Sequence, residues 1–114
     1  NASILVENQI RDKEGERILK LIKDDAYVIT LEIGGTMLDS VEFAEKIETL
    51  GIQGKSHICF VIGGSLGLGD AVCRHSDYAV SFSLMTFPHQ LMRVILLEQI
   101  YRGYRIINHE PYHK

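Results

Sequence analysis

The period of the hydrophobic positions changes several times along the chain, and each change marks an element. From Glu7 to Lys23 charged residues surround Ile10, Ile18, Leu21 and Ile22 at helical spacing, which predicts an amphipathic surface helix weakened by Gly15. Tyr27 to Ile33 is β-branched and bounded by Asp24-Asp25 and Gly34-Gly35, the pattern of a strand between turns. Asp39, with Glu42 three residues on, predicts a capped helix that carries Phe43, Ile47 and Leu50 and ends at Gly51. His57 to Ile62 is a nearly continuous apolar run, as expected of a strand covered on both faces. It leads into a glycine cluster, Gly63 to Gly69, and then a short helix from Asp70 to His75. A third strand, Tyr78 to Ser83, and a loop, Leu84 to Phe87, come next. Pro88 suits the first turn of a last helix reaching Ile107, whose broad apolar face is expected to be substantially buried. The tail from Asn108 to Lys114 is expected to be irregular.

Alternating apolar strands and helices predict an α/β fold with an open, mainly parallel sheet, in which ligands bind at the carboxyl ends of the strands. The loops after Ile33, Ile62 and Ser83 are therefore where chemistry is expected. The 114 residues fit a single domain, residues 1–114, with no internal repeat or linker. An apolar fraction of 46% with 24% charged residues is ordinary for a soluble protein, and no run of about 18 apolar residues could cross a bilayer. With no secretory signal pattern at the start, a cytoplasmic location without membrane association is expected. The chain begins at Asn1 rather than methionine, so its first residues are expected to follow a missing segment.

The net charge of -3 argues against a grip on nucleic acid through bulk positive charge, so any RNA contact must be local. The mildly basic end from Arg93 to Lys114 is the candidate, with His109 and His113 able to add charge near an anion. Cys59 and Cys73 lack C-x-x-C spacing and are expected to be reduced core residues. The five histidines are too scattered for a metal site, and none is expected.

Three segments could carry chemistry. The glycine cluster allows close approach of backbone to a ligand, although the third glycine of the dinucleotide fingerprint is replaced by Val72 and no phosphate-loop Gly-Lys-Ser/Thr is present. A purely structural turn is an equal reading of that segment. Phe82 to His89 is unusually apolar for a surface connection, which suggests a ligand pocket or partner surface, with a plain buried loop as the alternative. His89, just after Pro88, could donate a hydrogen bond or act as a base, or simply cap the helix. Around Tyr101-Arg102-Gly103-Tyr104-Arg105 and Pro111 to Lys114, arginine forks could hold phosphates and tyrosines stack on bases. Against that, Arg102 and Arg105 share a helix face with Glu98 and could form only solvated ion pairs.

Four word-like segments go further: Phe60-Val-Ile-Gly-Gly-Ser-Leu-Gly67, Ser81-Phe-Ser-Leu-Met-Thr-Phe-Pro-His-Gln90, Glu98-Gln-Ile-Tyr-Arg102 and Pro111-Tyr-His-Lys114. In this order and spacing they resemble the RlmH family, the ribosomal RNA large subunit methyltransferases H, and the likeness extends through Lys13 to Arg17 and Val28 to Ile33. The resemblance implies a SPOUT-type α/β trefoil knot, a rare exception to unknotted topology, in a homodimer whose sites use both subunits. It implies an S-adenosyl-L-methionine-dependent methyltransferase in rRNA processing, acting on N3 of a pseudouridine in 23S rRNA within the ribosome.

Carried over residue by residue, the cofactor contacts are Leu31, Gly63, Phe82, Ser83, Leu84, Met85, Thr86 and Phe87, and the catalytic or substrate-side residues are His89, Arg102, Tyr112 and His113. Lys114 stands where some relatives carry arginine. Under this reading His89, or His113 reaching across a dimer, accepts or orients the N3 proton, and Arg102 holds phosphate or the developing anion. The apolar face of the last helix forms the dimer core. The resemblance further implies an additional N-terminal segment, containing a strand and a helix, ahead of the sequence given. The competing readings are a non-catalytic RNA- or ribosome-binding module that retains the knotted fold and, against the failed fingerprint, an unrelated dinucleotide enzyme.

Overall fold

The computed structural model describes residues 2–63 and 67–114. Gly64, Ser65 and Leu66 of the glycine-rich turn lie outside the described residues. Helix α1 (Ala2–Leu21) leads to strand β1 (Tyr27–Met37), helix α2 (Ser40–Ile52), strand β2 (Ile58–Ile62), helix α3 (Asp70–His75), strand β3 (Tyr78–Ser81) and helix α4 (His89–Ile107). The strands form one parallel sheet in the order β2-β1-β3.

Side chains of β1 alternate between the two faces of the sheet. Val28 joins Val61 and Val72 beneath Ile18 and Leu19 of α1, so α1 and α3 cover one face. Ile29 packs with Leu50 and Val80, while Phe43, Ile47 and Leu96 gather beside them, so α2 and α4 cover the other. Val28, Ile29, Val72 and Val80 are fully buried. Burying a side chain of this size stabilises by roughly 1.5–3 kcal/mol relative to exposure, which makes the central strand the least tolerant part of the fold. Asp77 ties β3 to it, since its side chain accepts from the Val28 amide at 2.7 Å and its own amide donates to the Val28 carbonyl at 2.8 Å. The predicted cap of α2 is present as a reciprocal box: the Asp39 side chain accepts from the Glu42 amide at 2.7 Å, and the Glu42 side chain accepts from the Asp39 amide at 2.9 Å.

Several expectations are corrected. Helix α1 begins at Ala2, and Gly15 serves a close approach to α3, where an added Cβ would lie 3.2 Å from Val72 Cγ2. Strand β1 does not stop before Gly34-Gly35 but runs to Met37, with a register shift in which Leu31 and Thr36 both lie opposite Val80. Gly35 makes this possible: a Cβ there would sit 2.8 Å from backbone carbons of Ala79 and Val80. Strand β3 ends at Ser81 rather than Ser83, and Pro88 is the N-cap of α4 rather than part of its first turn. Strand β2 is an edge, and its side chains other than Val61 are only half-buried.

Helix α4 departs furthest from expectation. Among the described residues only Leu96 and Gly103 of this helix are buried. Leu91, Val94, Leu97, Tyr101 and Tyr104 form a stripe, each between 47% and 61% exposed. The helix is amphipathic as expected, but only one edge of its apolar face meets this chain's core.

Candidate active site

The carboxyl ends of β2 and β3 and the middle of β1 border one cavity of about 860 Å³. Strand β1 contributes Leu31, Glu32, Ile33 and Gly34, β2 contributes Ile62 with Gly63 just after it, and the loop after β3 contributes Phe82, Ser83, Met85, Thr86 and Phe87. Gly67, Leu68, Cys73, Pro88, His89 and Met92 complete the wall. The chain passes from β1 to β2 on one side and then crosses to β3 on the other. A crevice outside the strand ends is expected at such a switch point. The cavity lies within the roughly 300–1,000 Å³ usual for small-molecule sites, and its mostly apolar lining with a few polar groups is typical of them.

Local chemistry fixes the walls. Where β2 leaves the sheet, Gly63 and Gly67 touch backbone to backbone, since a Cβ on Gly63 would lie 2.9 Å from the Gly67 carbonyl carbon. Gly67 itself has φ +82°, in the left-handed region that favours glycine. The loop after β3 is pinned by two serines. The Ser81 hydroxyl donates to the Ser83 carbonyl at 3.1 Å, and the Ser83 hydroxyl accepts from the Met85 amide at 2.9 Å. Phe82 is held edge-on against Phe43, with ring centroids 5.5 Å apart.

Of the eight cofactor-contact expectations, Leu31, Gly63, Phe82, Ser83, Met85, Thr86 and Phe87 line this one cavity. Leu84 does not line it and is exposed. His89, the first residue of α4, lies on the cavity wall. Arg102, Tyr112 and His113 stand elsewhere, roughly 20 Å further along α4 at 1.5 Å rise per residue.

Those three residues form a second constellation around Glu98. Arg102 Nε donates to Glu98 Oε1 at 3.2 Å, and Arg102 Nη2 lies 3.1 Å from Glu98 Oε2. The Tyr112 hydroxyl donates to Glu98 Oε2 at 3.1 Å, and Arg102 Nη1 lies 3.0 Å from His113 Nδ1. The guanidinium also covers the Tyr112 ring at 4.8 Å, and that ring meets Tyr101 edge-on at 5.0 Å. The Arg102 hydrogen bond, seconded by Tyr112, holds the Glu98 carboxyl below its ordinary range. Glu98 in turn raises both the Arg102 guanidinium and the Tyr112 phenol. Arg105 does not join Glu98, as its place on the helix face suggested, but pairs with Glu110 at 2.7 Å.

The tail reaches this position because α4 ends in a reversal. The His109 amide donates to the Ile106 carbonyl and the Glu110 amide to the Arg105 carbonyl, with His109 at φ 56°. The resulting end of α4 presents a cation, two aromatic rings and an imidazole on one surface.

Glu32 and Cys73 are cavity residues that sequence reasoning missed. The Cys73 thiol donates to Glu32 Oε1 at 3.5 Å, and the Thr30 hydroxyl donates to Glu32 Oε2. Cys73 thus belongs to the cavity wall rather than the core interior. Burial, followed by the neighbouring Glu32 carboxylate, pushes its thiol up, so it stays protonated and weakly reactive at neutral pH. Cys59, whose thiol is raised by burial alone, packs against the core as expected. The available signal for Glu32 was an acidic residue one position beyond Leu31, at the end of an otherwise apolar strand. Among the described residues no cluster of His, Cys, Asp and Glu could hold a metal ion, and no helix is long and apolar enough to cross a membrane.

A parallel α/β sheet with a ligand-sized cavity built from the middle of β1 and the loops after β2 and β3 is the setting in which comparison with known proteins becomes informative. Residues 2–113 match the family model described as predicted SPOUT methyltransferase. A ribosomal RNA large subunit methyltransferase H of Finegoldia magna is 68% identical over 105 residues, covering 92% of this chain and 66% of the relative. Proteins with the same name from Clostridium botulinum strain Alaska E43 and Bifidobacterium adolescentis are 58% and 61% identical over all 114 residues, covering 72% of each relative. The chain belongs to the SPOUT methyltransferase family and, within it, to the group of ribosomal RNA large subunit methyltransferases H. It spans about two thirds of the length of the first of these relatives and somewhat more of the others.

Proposed function

We propose that this chain is the catalytic part of a homodimeric methyltransferase that uses S-adenosyl-L-methionine to methylate N3 of a pseudouridine in 23S rRNA within the ribosome. The observation that carries the reading is the single cavity lined by seven of the eight residues expected to contact the cofactor. The cavity suits such a ligand. It has apolar walls for flat and aliphatic parts, hydroxyls from Ser83 and Thr86, and glycine edges where backbone comes close. The relatives' names support the ribosomal substrate.

When bound, S-adenosyl-L-methionine supplies an electrophilic methyl group on a sulfonium sulfur, open to in-line displacement. The chain's own contribution is mainly positioning, which can lower a barrier by up to about 7–11 kcal/mol in the best intramolecular models. Leu31, Phe82, Ser83, Met85, Thr86 and Phe87 would enclose the donor, with His89 on the same cavity wall. His89 accepts the N3 proton or orients the group that does. Arg102 holds a phosphate or the anion that develops on the base, with Tyr112 stacking and His113 as the second candidate for the proton.

These roles need two chains, because His89 and Arg102 of one chain are separated by most of the length of α4. Antiparallel pairing of α4 about Leu97 buries the stripe of Leu91, Val94, Leu97, Tyr101 and Tyr104. Each chain's Arg102 end then lies beside its partner's cavity. The trefoil knot of the family is the expected topology toward the C-terminal part of the chain.

The reading is tested by calorimetric titration of the chain with S-adenosyl-L-methionine, S-adenosylhomocysteine and NADH, alongside methylation of ribosomes that lack the modification. Saturable binding of the first two alone, with a methyl group mapped to pseudouridine N3, is expected. A folded dimer that binds ribosomes but neither adenosyl compound would instead be a non-catalytic binding module.

A further inference from the structure

We infer that Glu32 is a positioning residue that recognises the positive charge of the methyl donor, so that the cavity holds the sulfonium form in preference to the neutral thioether left after transfer. The inference rests on the cofactor reading above and concerns the one part of the donor that changes charge.

Among the described residues lining the cavity, Glu32 is the only carboxylate, and none is lysine or arginine. Gly64, Ser65 and Leu66 carry no charge either. Glu32 takes part in none of the ion pairs among the described residues. Leaving His89 aside, the wall therefore has a formal charge of minus one. The first turn of α4 borders the same space and offsets this only by the roughly half-unit positive pole of a helix start.

The carboxylate is also held in place. Thr30, itself fully buried, donates its hydroxyl to one oxygen, and the Cys73 thiol points at the other. Each oxygen thus accepts one protein donor, which fixes the carboxylate while leaving it a lone pair on each oxygen. What sets Glu32 apart from the rest of the lining is its charge, which suits a sulfonium centre. A sulfonium bears no N–H or O–H and is attracted by Coulomb force alone.

The charge changes during the reaction. As the bond from sulfur to the methyl carbon breaks, its electron pair stays on sulfur and the cation becomes a neutral thioether, while the methyl group joins the N3 nitrogen that has lost its proton. The attraction to Glu32 disappears at that moment, which favours release of the spent cofactor and binding of a fresh one. The same attraction steadies the donor more than the transition state. Neutralising Glu32 is therefore expected to raise KM for the donor without lowering the single-turnover rate at saturation.

The test is calorimetric titration of the parent chain and Glu32→Gln at about pH 8, where imidazoles are largely neutral. Three ligands are compared: S-adenosyl-L-methionine, S-adenosylhomocysteine, and sinefungin, which carries an ammonium group in place of the sulfonium. The parent is expected to prefer the two cationic ligands. In Glu32→Gln their affinities are expected to fall roughly ten- to hundredfold, the range for unit charges about 6–10 Å apart at an effective dielectric of 20. Binding of S-adenosylhomocysteine is expected to change less than about twofold. Glu32→Asp, which keeps the charge, is expected to retain part of the preference.

Equal losses for all three ligands would assign Glu32 to a part they share, such as the ribose hydroxyls, and would overturn the inference. So would unchanged binding of all three. If Glu32→Gln fails to fold by circular dichroism, the parent decides: binding sinefungin no better than S-adenosylhomocysteine overturns the proposal. A folded parent that binds none of them refutes the cofactor reading itself.

Discussion

Replacing Gly35 by alanine is a sharp test of how β1 is built. The new Cβ would sit 2.8 Å from the carbonyl carbons of Ala79 and Val80 and 2.9 Å from the Ala79 oxygen, well inside ordinary contact distance. These are backbone atoms of β3, locked in a parallel ladder, so relief requires the two strands to separate. Overpacking of this kind costs typically 1–3 kcal/mol. For a domain of this size that lowers Tm by about 5–15 °C. Gly34 is the control, since a Cβ there meets nothing within 4 Å and its φ is not in the left-handed region. Gly34→Ala is therefore expected to leave Tm within a few degrees of the parent or raise it slightly, because alanine restricts the unfolded chain. Both variants are to be melted by circular dichroism at one protein concentration, so that self-association does not enter the comparison. Equal melting temperatures for the two variants would refute the account of β1 as a strand that needs a bare backbone at position 35.

Three further outcomes are expected. Placing a charge in the α4 stripe, with Val94→Asp or Leu97→Asp, is expected to convert a dimer to monomers in sedimentation at micromolar concentration, and a variant as dimeric as the parent would remove the stripe from the interface. His109→Gly, at a left-handed position where a side chain is disfavoured, is expected to stabilise by up to about 1 kcal/mol, read as a raised urea midpoint. The docking of the tail on α4 depends on pH at both extremes. Glu98 is lowered by Arg102, so its contribution is present above the ordinary carboxylate value of 4.5 and is lost as pH falls further; Tyr112 is raised by Glu98, so its contribution is present below 10.0 and is lost as pH climbs beyond it. Hydrogen exchange of the amides of residues 109, 110, 112 and 113 is expected to be slowest between these limits, and exchange that does not vary with pH after correction for intrinsic rates would argue against the Glu98–Tyr112 link.

Much of the fold was legible because local signals and tertiary demands agree. The Asp39 and Glu42 box begins α2 where the pattern places it, and the three apolar runs are the three strands. The failures come from glycine and from partners. Gly34-Gly35 looks like a strand terminator, but glycine is also what lets one backbone cross another closely, and only the position of β3 distinguishes the two uses. Gly15 is the same case within a helix. The apolar face of α4 is plain in the sequence, yet periodicity does not say whether a face is covered by the chain's own core.

For the site, the loops after Ile62 and Ser83 follow from the α/β pattern while the one expected after Ile33 is strand, and the individual contacts expected there came only with the family resemblance. Glu32 stayed hidden because an acidic residue near a strand end usually just faces water. Its meaning lies in Thr30 and Cys73, one from the same strand and one from a distant helix.

The parallel sheet also bears on how the molecule acquires its structure. No two neighbouring strands are joined by a hairpin, and the contact between Val28 and Asp77 spans 49 positions. Of these three strands the central one is synthesised before both of its neighbours, with β2 reaching it only after α2 and β3 only after β2 and α3. Pairings of such long range impose a large loop-closure entropy before any reward, so folding is slow relative to helical proteins of this length. During synthesis the Val28 to Leu31 segment leaves the ribosome before β2 and β3 exist, so for that interval its edges lack both of these neighbours and the stretch is exposed to misassociation.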